Sequence, residues 1–221
     1  MKLLLNAIIK FTLGAAIVFT LLFLPSGTLS YMNGWLFMGL LFIPMLALGT
    51  VLFIKDPKLL EKRLDSKEKE SAQRKVVGVF ALLFVCTFIS AGLDFRYALS
   101  HVPAPVVGIA STVLLFSYLL YAEVMRENSF LSRTVEVCEN QTVVDSGLYG
   151  IVRHPMYTST LLLFLSIPIV LGSWLSLCFS IPFIPLIIAR ILNEEKLLSE
   201  KLSGYTEYKN KVKYRLIPFV W

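Results

Sequence analysis

Two histidines and three cysteines are the only imidazoles and thiols that this 221-residue chain offers to a metal ion. His101 and His154 lie far apart, and Cys86, Cys138 and Cys178 show neither metal-ligand nor disulfide spacing. Free thiols and no protein-bound metal are the expectation. No G-x-G-x-x-G run occurs, so a Rossmann-type dinucleotide pocket is not expected. Internal repeats, low-complexity segments and domain-dividing linkers are absent as well. Charge is scarce: 16% of residues are Asp, Glu, Lys or Arg, against about 25% in a soluble domain.

What fills the space is apolar. Hydrophobic residues make up 56% of the chain and the mean hydropathy is +0.72. About 20 apolar residues cross a bilayer core. Ala7–Leu24 is apolar apart from Lys10 and Thr12, and Trp35–Ile54, Val76–Leu93 and Val106–Ala122 carry no charge. Thr158–Leu171 and Trp174–Ala189 are uncharged too, but short and separated only by Gly172-Ser173. The pattern predicts an all-α integral membrane protein of about six transmembrane helices, the last two forming a tight helical hairpin. Pro168, Pro182 and Pro185 should kink that hairpin and free backbone carbonyls. Lys10 interrupts the first run and no A-x-A site follows it, so the run reads as a retained helix rather than a signal peptide. The chain divides into four helices over 1–122 and a second portion over 123–221, within one membrane domain.

Basic residues set the orientation. They crowd the loop 55–75, the loop 123–156 and the tail from Arg190, while 25–34 has no charge and 94–105 has only Asp94 and Arg96. Both termini are therefore expected in the cytoplasm. The net charge of +6 reads as a topology signal with some attraction to anionic lipid, and nothing calls for nucleic acid.

Three polar pieces fall on that cytoplasmic side. Segment 55–75 reads as a charged helix whose Leu59, Leu60 and Leu64 meet the membrane surface, or as a solvated topology-setting loop. Within 125–155, the stretch TVEVCENQTVVDSG (134–147) alternates enough to predict a short β-hairpin. The tail 190–221 predicts a helix, a break at Ser203-Gly204-Tyr205, and a second short helix to about Lys213.

Chemistry has three candidate seats. In VRHPMY, Pro155 fits a first helical turn, which sets Arg153 and His154 just ahead of a helix start. Such a start attracts an anionic group, which Arg153 could also bind, while His154 and Tyr157 offer ring faces. The plainer alternative is an interfacial anchor. In RILNEE, Arg190 and Glu194 share a helix face and Glu195 points elsewhere. A carboxylate there suits a ribose diol, or merely completes a surface ion pair. In YTEYKNKVKYRLIP, Tyr205 and Tyr208 share a face and Arg215 precedes an apolar Leu-Ile-Pro, an arrangement that tail packing also explains.

Taken together and in order, GLYGIVRHPMYTSTLLLF, the polar-ended hairpin, RILNEEKLL and YTEYKNKVKYRLIP resemble the isoprenylcysteine carboxyl methyltransferase family and its phospholipid methyltransferase relatives. The resemblance covers about 123–221. It implies S-adenosylmethionine as cofactor in a cytoplasmic, non-Rossmann pocket. It places Gly147, Tyr149, Arg153, His154, Tyr157, Glu194, Glu195, Tyr205, Tyr208 and Arg215 around that cofactor, with Arg190 beside the acceptor. The implied reaction is methyl transfer to a lipophilic acceptor entering from the lipid, with a carboxylate favoured because no G-x-G element precedes the hairpin. In it, Arg190 and Glu194 would be the catalytic pair: Arg190 would orient a carboxylate, and Glu194 would assist an amine. Two rivals stand beside this reading: an NADPH-dependent membrane reductase of the sterol-reductase type, and a non-enzymatic transporter or scaffold.

Overall fold

The apolar runs of the first half fold as long helices because a backbone in hydrocarbon must satisfy its own hydrogen bonds. The computed structural model describes residues 2–64, 71–131 and 141–221, with 71–75 in backbone only. Helices α1 (Lys2–Ser26), α2 (Met32–Lys55), α4 (Ser71–Tyr97) and α5 (Ala104–Glu127) run up and down, and a short α3 (Pro57–Leu64) follows α2. The second half has α6 (Pro155–Val170), α7 (Trp174–Ser180), α8 (Phe183–Lys201) and a small α9 (Tyr205–Lys211), with a 3-10 turn over Gly147–Gly150. Among the described residues every regular element is helical.

Five helical stretches are long and apolar enough to cross a membrane: α1, α2, Val76–Tyr97, α5, and Trp174–Lys201 taken through the α7–α8 junction. The protein is an integral membrane protein on that basis. The sixth expected span, α6, has 16 residues and a length of about 24 Å, short of a hydrocarbon core of about 30 Å. Pro182 falls at the α7–α8 break and Pro168 near the end of α6, as their missing N–H groups require.

The shared core joins both halves. Leu22, Phe37, Phe88, Leu114 and Val170 are fully buried in one cluster drawn from α1, α2, α4, α5 and α6. α1 reaches α4 closely because Gly92 has no side chain; a Cβ there would stand 2.5 Å from the Leu22 carbonyl oxygen. At the end away from the basic segments, buried Asp94 accepts from the Ser100 amide at 2.6 Å, the Ser100 hydroxyl and the Ser173 hydroxyl. Tyr31 Oη donates to the Leu171 carbonyl at 2.5 Å, and the Trp174 indole to the His101 carbonyl at 3.0 Å. These bonds pin the hairpin turn to the neighbouring loops.

At the basic end, α3 is a built element rather than a loose loop. Asp56 accepts from the Leu59 amide at 3.0 Å, and Lys10 Nζ reaches the Leu64 carbonyl at 2.5 Å. Leu59 and Leu60 are buried against the protein, not laid on a membrane surface. Lys10, the odd charge in the first apolar run, thus caps the end of α3. The hairpin expected over 134–147 falls largely on 132–140, outside the described residues; 141–146 carry no strand. Cys138 also lies outside them, while Cys86 and Cys178 are free.

Candidate active site

Pro155 occupies the first turn of α6 and His154 its N-cap, so the chain turns sharply where VRHPMY predicts. The tail then stitches to this turn. The Arg153 amide donates to the Tyr214 carbonyl at 2.9 Å and the His154 amide to the Arg215 carbonyl at 2.9 Å. Thr158 Oγ1 adds a bond to the Leu216 carbonyl at 2.8 Å. Residues 212–216 therefore lie along 153–158, which brings α9 back over the base of the hairpin.

Arg153 is 6% exposed and heavily engaged. Its Nε donates to Glu195 Oε1 at 2.7 Å, and its Nη1 to the carbonyls of Val212 at 2.6 Å and Lys213 at 2.9 Å. Arg215 Nε holds the other Glu195 oxygen at 3.0 Å. Glu195, 3% exposed, is thus the centre of a clasp that locks α8, the turn before α6 and the tail together. A buried carboxylate is tolerable only with such partners. His154 Nε2 stands 3.4 Å from Glu195 Oε1 but lacks hydrogen-bond alignment with it.

One helical turn away, a second cluster forms. Tyr157 Oη donates to Glu194 Oε2 at 2.6 Å and accepts from Arg190 Nε at 3.0 Å. Glu194 and Glu195 therefore part ways, as adjacent helical positions must: one joins the clasp, the other the cluster. Arg190 and Glu194 share a face, and both meet the Tyr157 hydroxyl between them.

A cavity of about 90 Å³ opens at this cluster. Arg153, His154, Tyr157, Arg190 and Glu194 line its inner side, and Tyr149, Tyr205 and Tyr208 form an aromatic wall. Of the residues expected there, Gly147, Glu195 and Arg215 do not line it; they hold the lining residues in place. Tyr208 Oη donates to the Tyr149 carbonyl at 2.7 Å, and Asn128 Nδ2 donates to Tyr149 Oη at 3.0 Å. Tyr205, 4% exposed, has no hydrogen-bond partner for its hydroxyl. Burial pushes the Tyr149 hydroxyl up to about 12, partly offset by the Asn128 bond and the nearby charge of Arg63. Burial likewise pushes Tyr205 and Tyr208 upward. All three phenols are neutral hydrogen-bonding groups at ordinary pH.

Gly147 has φ +55°, and a Cβ there would collide with the Glu127 carboxylate. Glu127 uses that space to accept from the Leu148 amide at 2.9 Å. Asn128, Glu127, Phe130, Met156 and the stretch 141–144 all shape the site, and sequence reasoning assigned none of them a role. Their only sequence signal is position: Glu127, Asn128 and Phe130 lie in the polar stretch that follows the fourth apolar run, and Met156 lies inside VRHPMY.

Residues 103–204 match the family model for phospholipid methyltransferases. That family is part of a membrane methyltransferase group that also includes the isoprenylcysteine carboxyl methyltransferases. No curated protein matches the chain. The matched segment begins just before α5 and ends just before α9, so it holds the VRHPMY turn, both hairpin helices and Glu194. The tail that packs against the cavity, with Tyr205, Tyr208 and Arg215, lies beyond it.

Proposed function

We propose that the protein transfers a methyl group from S-adenosylmethionine to a lipophilic acceptor at the cytoplasmic face of its membrane, with a carboxylate such as an isoprenylcysteine-like group as the acceptor. The observation that carries this reading is the Arg190–Tyr157–Glu194 cluster at the base of an aromatic-walled cavity. The donor set suits the cofactor. Glu194 can accept from ribose hydroxyls, tyrosine rings can pack on adenine, and the unpartnered Tyr205 hydroxyl can bond a polar ligand atom. When bound, S-adenosylmethionine supplies an electrophilic methyl group whose sulfur keeps the bonding pair. Transfer then depends on alignment of the acceptor with that methyl group. Arg190 orients the acceptor carboxylate, which is ionised and needs no base; Tyr157 and Glu194 fix the guanidinium plane. The basic segments around this end support its cytoplasmic placement.

The test is equilibrium binding of S-adenosylmethionine and of NADPH to the purified protein. Saturable binding of the methyl donor, weakened in Glu194→Ala, is expected. Binding of NADPH instead would move the protein to the reductases, and binding of neither would overturn the enzyme reading of the site.

A further inference from the structure

Most of the large apolar side chains left open by the fold belong to the spanning helices, where lipid covers them. The tail is different. Among the described residues, the two most exposed large apolar side chains are Phe219, at 86%, and Val220, at 75%; Ile217 beside them is 46% exposed. None of the three belongs to a helix long and apolar enough to cross a membrane. Phe219 also sits at φ +65°, a left-handed conformation that a bulky residue rarely adopts. The backbone is strained there to present a ring that would gain nothing from water.

The segment is built as a tight turn. The main-chain oxygen of Trp221 accepts from the amides of Arg215 at 2.8 Å, Leu216 at 2.9 Å and Ile217 at 3.2 Å. The Ile217 carbonyl accepts in return from the Val220 and Trp221 amides, both at 3.1 Å. Packing fixes the depth of this turn. Leu216 is buried in one cluster with Tyr157, Ile187 and Ile191, and both Trp221 and Phe80 pack against that cluster. Phe80 lies in the first turns of the spanning stretch Val76–Tyr97, about 6 Å past its start. Ile187 and Ile191 lie inside the stretch Trp174–Lys201. The Leu216 carbonyl is also held by Thr158, in the first turn of α6. The turn therefore leaves the protein at the level where the spanning helices enter hydrocarbon. Tyr214, whose ring centre is 5.3 Å from that of Phe219, and Trp221 flank the tip, and both residue types favour a membrane–water boundary. Lys213 is exposed behind them, where a cation meets lipid headgroups.

We infer that Ile217, Phe219 and Val220 form a lipid-docking tip that inserts into the bilayer surface and holds the tail against the base of the hairpin. The partner is the lipid itself, because the tip continues the apolar surface of the spanning helices beside it. The consequence reaches the clasp. Arg215 Cζ lies 5.0 Å from the centre of the Trp221 ring, and its Nε bonds to Glu195. A tip seated in lipid keeps Arg215 on Glu195. This inference stands apart from the methyltransferase reading and involves neither cofactor nor acceptor.

The test uses the full chain in lipid nanodiscs, with Cys86→Ala, Cys138→Ala and Cys178→Ala. A nitrobenzoxadiazole fluorophore is attached at Phe219→Cys or at Asn210→Cys, an exposed position on α9. Dithionite, which stays in water, should bleach the probe at 219 about tenfold more slowly than at 210, the shift that burial of one aromatic side chain supports. Phosphatidylcholine with a nitroxide near the top of its acyl chain should quench the probe at 219 and not at 210. Equal bleaching at the two positions overturns the inference. Slow bleaching without lipid quenching overturns it too, since a second copy of the protein would then cover the tip.

Hydrogen exchange over 212–221 gives a label-free readout in the same nanodiscs. The proteins are wild type, Phe219→Leu, and the pair Phe219→Asp and Val220→Asp. The aspartate pair should exchange the amides of Arg215, Leu216 and Ile217 about tenfold faster, and Phe219→Leu should keep the wild-type rate. Unchanged exchange in the aspartate pair overturns the claim that lipid holds the tail. Should that pair fail to fold, the probe at 219 decides; should the cysteine-free chain fail, the exchange comparison does.

Discussion

Arg153 and Glu195 meet at 2.7 Å with both side chains almost fully buried, and through them the turn before α6 is fastened to the last turns of α8. Their bond is one strand of the larger clasp that includes Arg215 and the carbonyls of the tail. It makes the position of the cavity wall depend on two residues that are 42 apart in sequence.

Arg153→Ala should therefore destabilise the fold rather than simply weaken a ligand contact. Removing Arg153 leaves buried Glu195 with Arg215 as its remaining guanidinium partner, so the cost should fall toward the low end of the about 3–5 kcal/mol of a broken buried pair. Thermal unfolding in detergent should show a clear fall in midpoint. Combining Arg153→Ala with Glu195→Ala should recover part of it. If the single variant unfolds like wild type, the clasp has no structural weight.

Tyr157→Phe should leave folding nearly intact and strike the reaction. The variant loses the hydroxyl that joins Arg190 to Glu194. Hydrogen bonds to charged groups contribute about 1.5–3 kcal/mol each, so kcat/KM for methyl transfer should drop by about tenfold to a hundredfold. Unchanged kinetics with a farnesylcysteine acceptor would remove Tyr157 from the site.

Tyr205→Phe separates a ligand contact from a packing role. Its hydroxyl is buried without a partner, a state that costs about 1–3 kcal/mol. Deleting it should hold or raise the unfolding midpoint of the ligand-free protein while weakening S-adenosylmethionine binding. A fall in stability together with unchanged binding would make Tyr205 a packing residue only.

Gly147→Ala should disturb the 3-10 turn from two directions. The residue sits at φ +55°, where a side chain costs about 1–2 kcal/mol, and the added carbon would meet the Glu127 carboxylate. Lower stability is expected, with partial relief on adding Glu127→Ala. A neutral single variant would show that the turn can shift without consequence.

How much of this was legible beforehand varies from element to element. The long helices followed from apolar length alone, since a bilayer leaves few other folds open to such runs. Pro155 announced the start of α6 and Gly204 the break before α9. The destination of Glu195 was the less readable part, since helix spacing turned it away from Arg190 and Glu194 without saying toward what. Adjacent positions on a helix necessarily diverge, but that Glu195 meets Arg153 and Arg215 depends on where the turn before α6 and the tail lie. The reading of Arg153 as a receptor for a ligand carboxylate met the same limit: the tail carbonyls and Glu195 hold two of its nitrogens, and nothing local in VRHPMY announces that.

By itself the sequence determined an all-helical membrane protein with its polar groups gathered at one end, because hydropathy, proline placement and charge asymmetry are local properties summed along the chain. Only the tertiary structure decided that Glu195 is a clasp while Glu194 joins Tyr157 and Arg190, that Lys10 caps α3, and that Arg63 of α3 lies beside Met156. Those relations join residues from 33 to 93 positions apart. They are fixed by the way the helices pack and by the path of the tail, which no local pattern encodes.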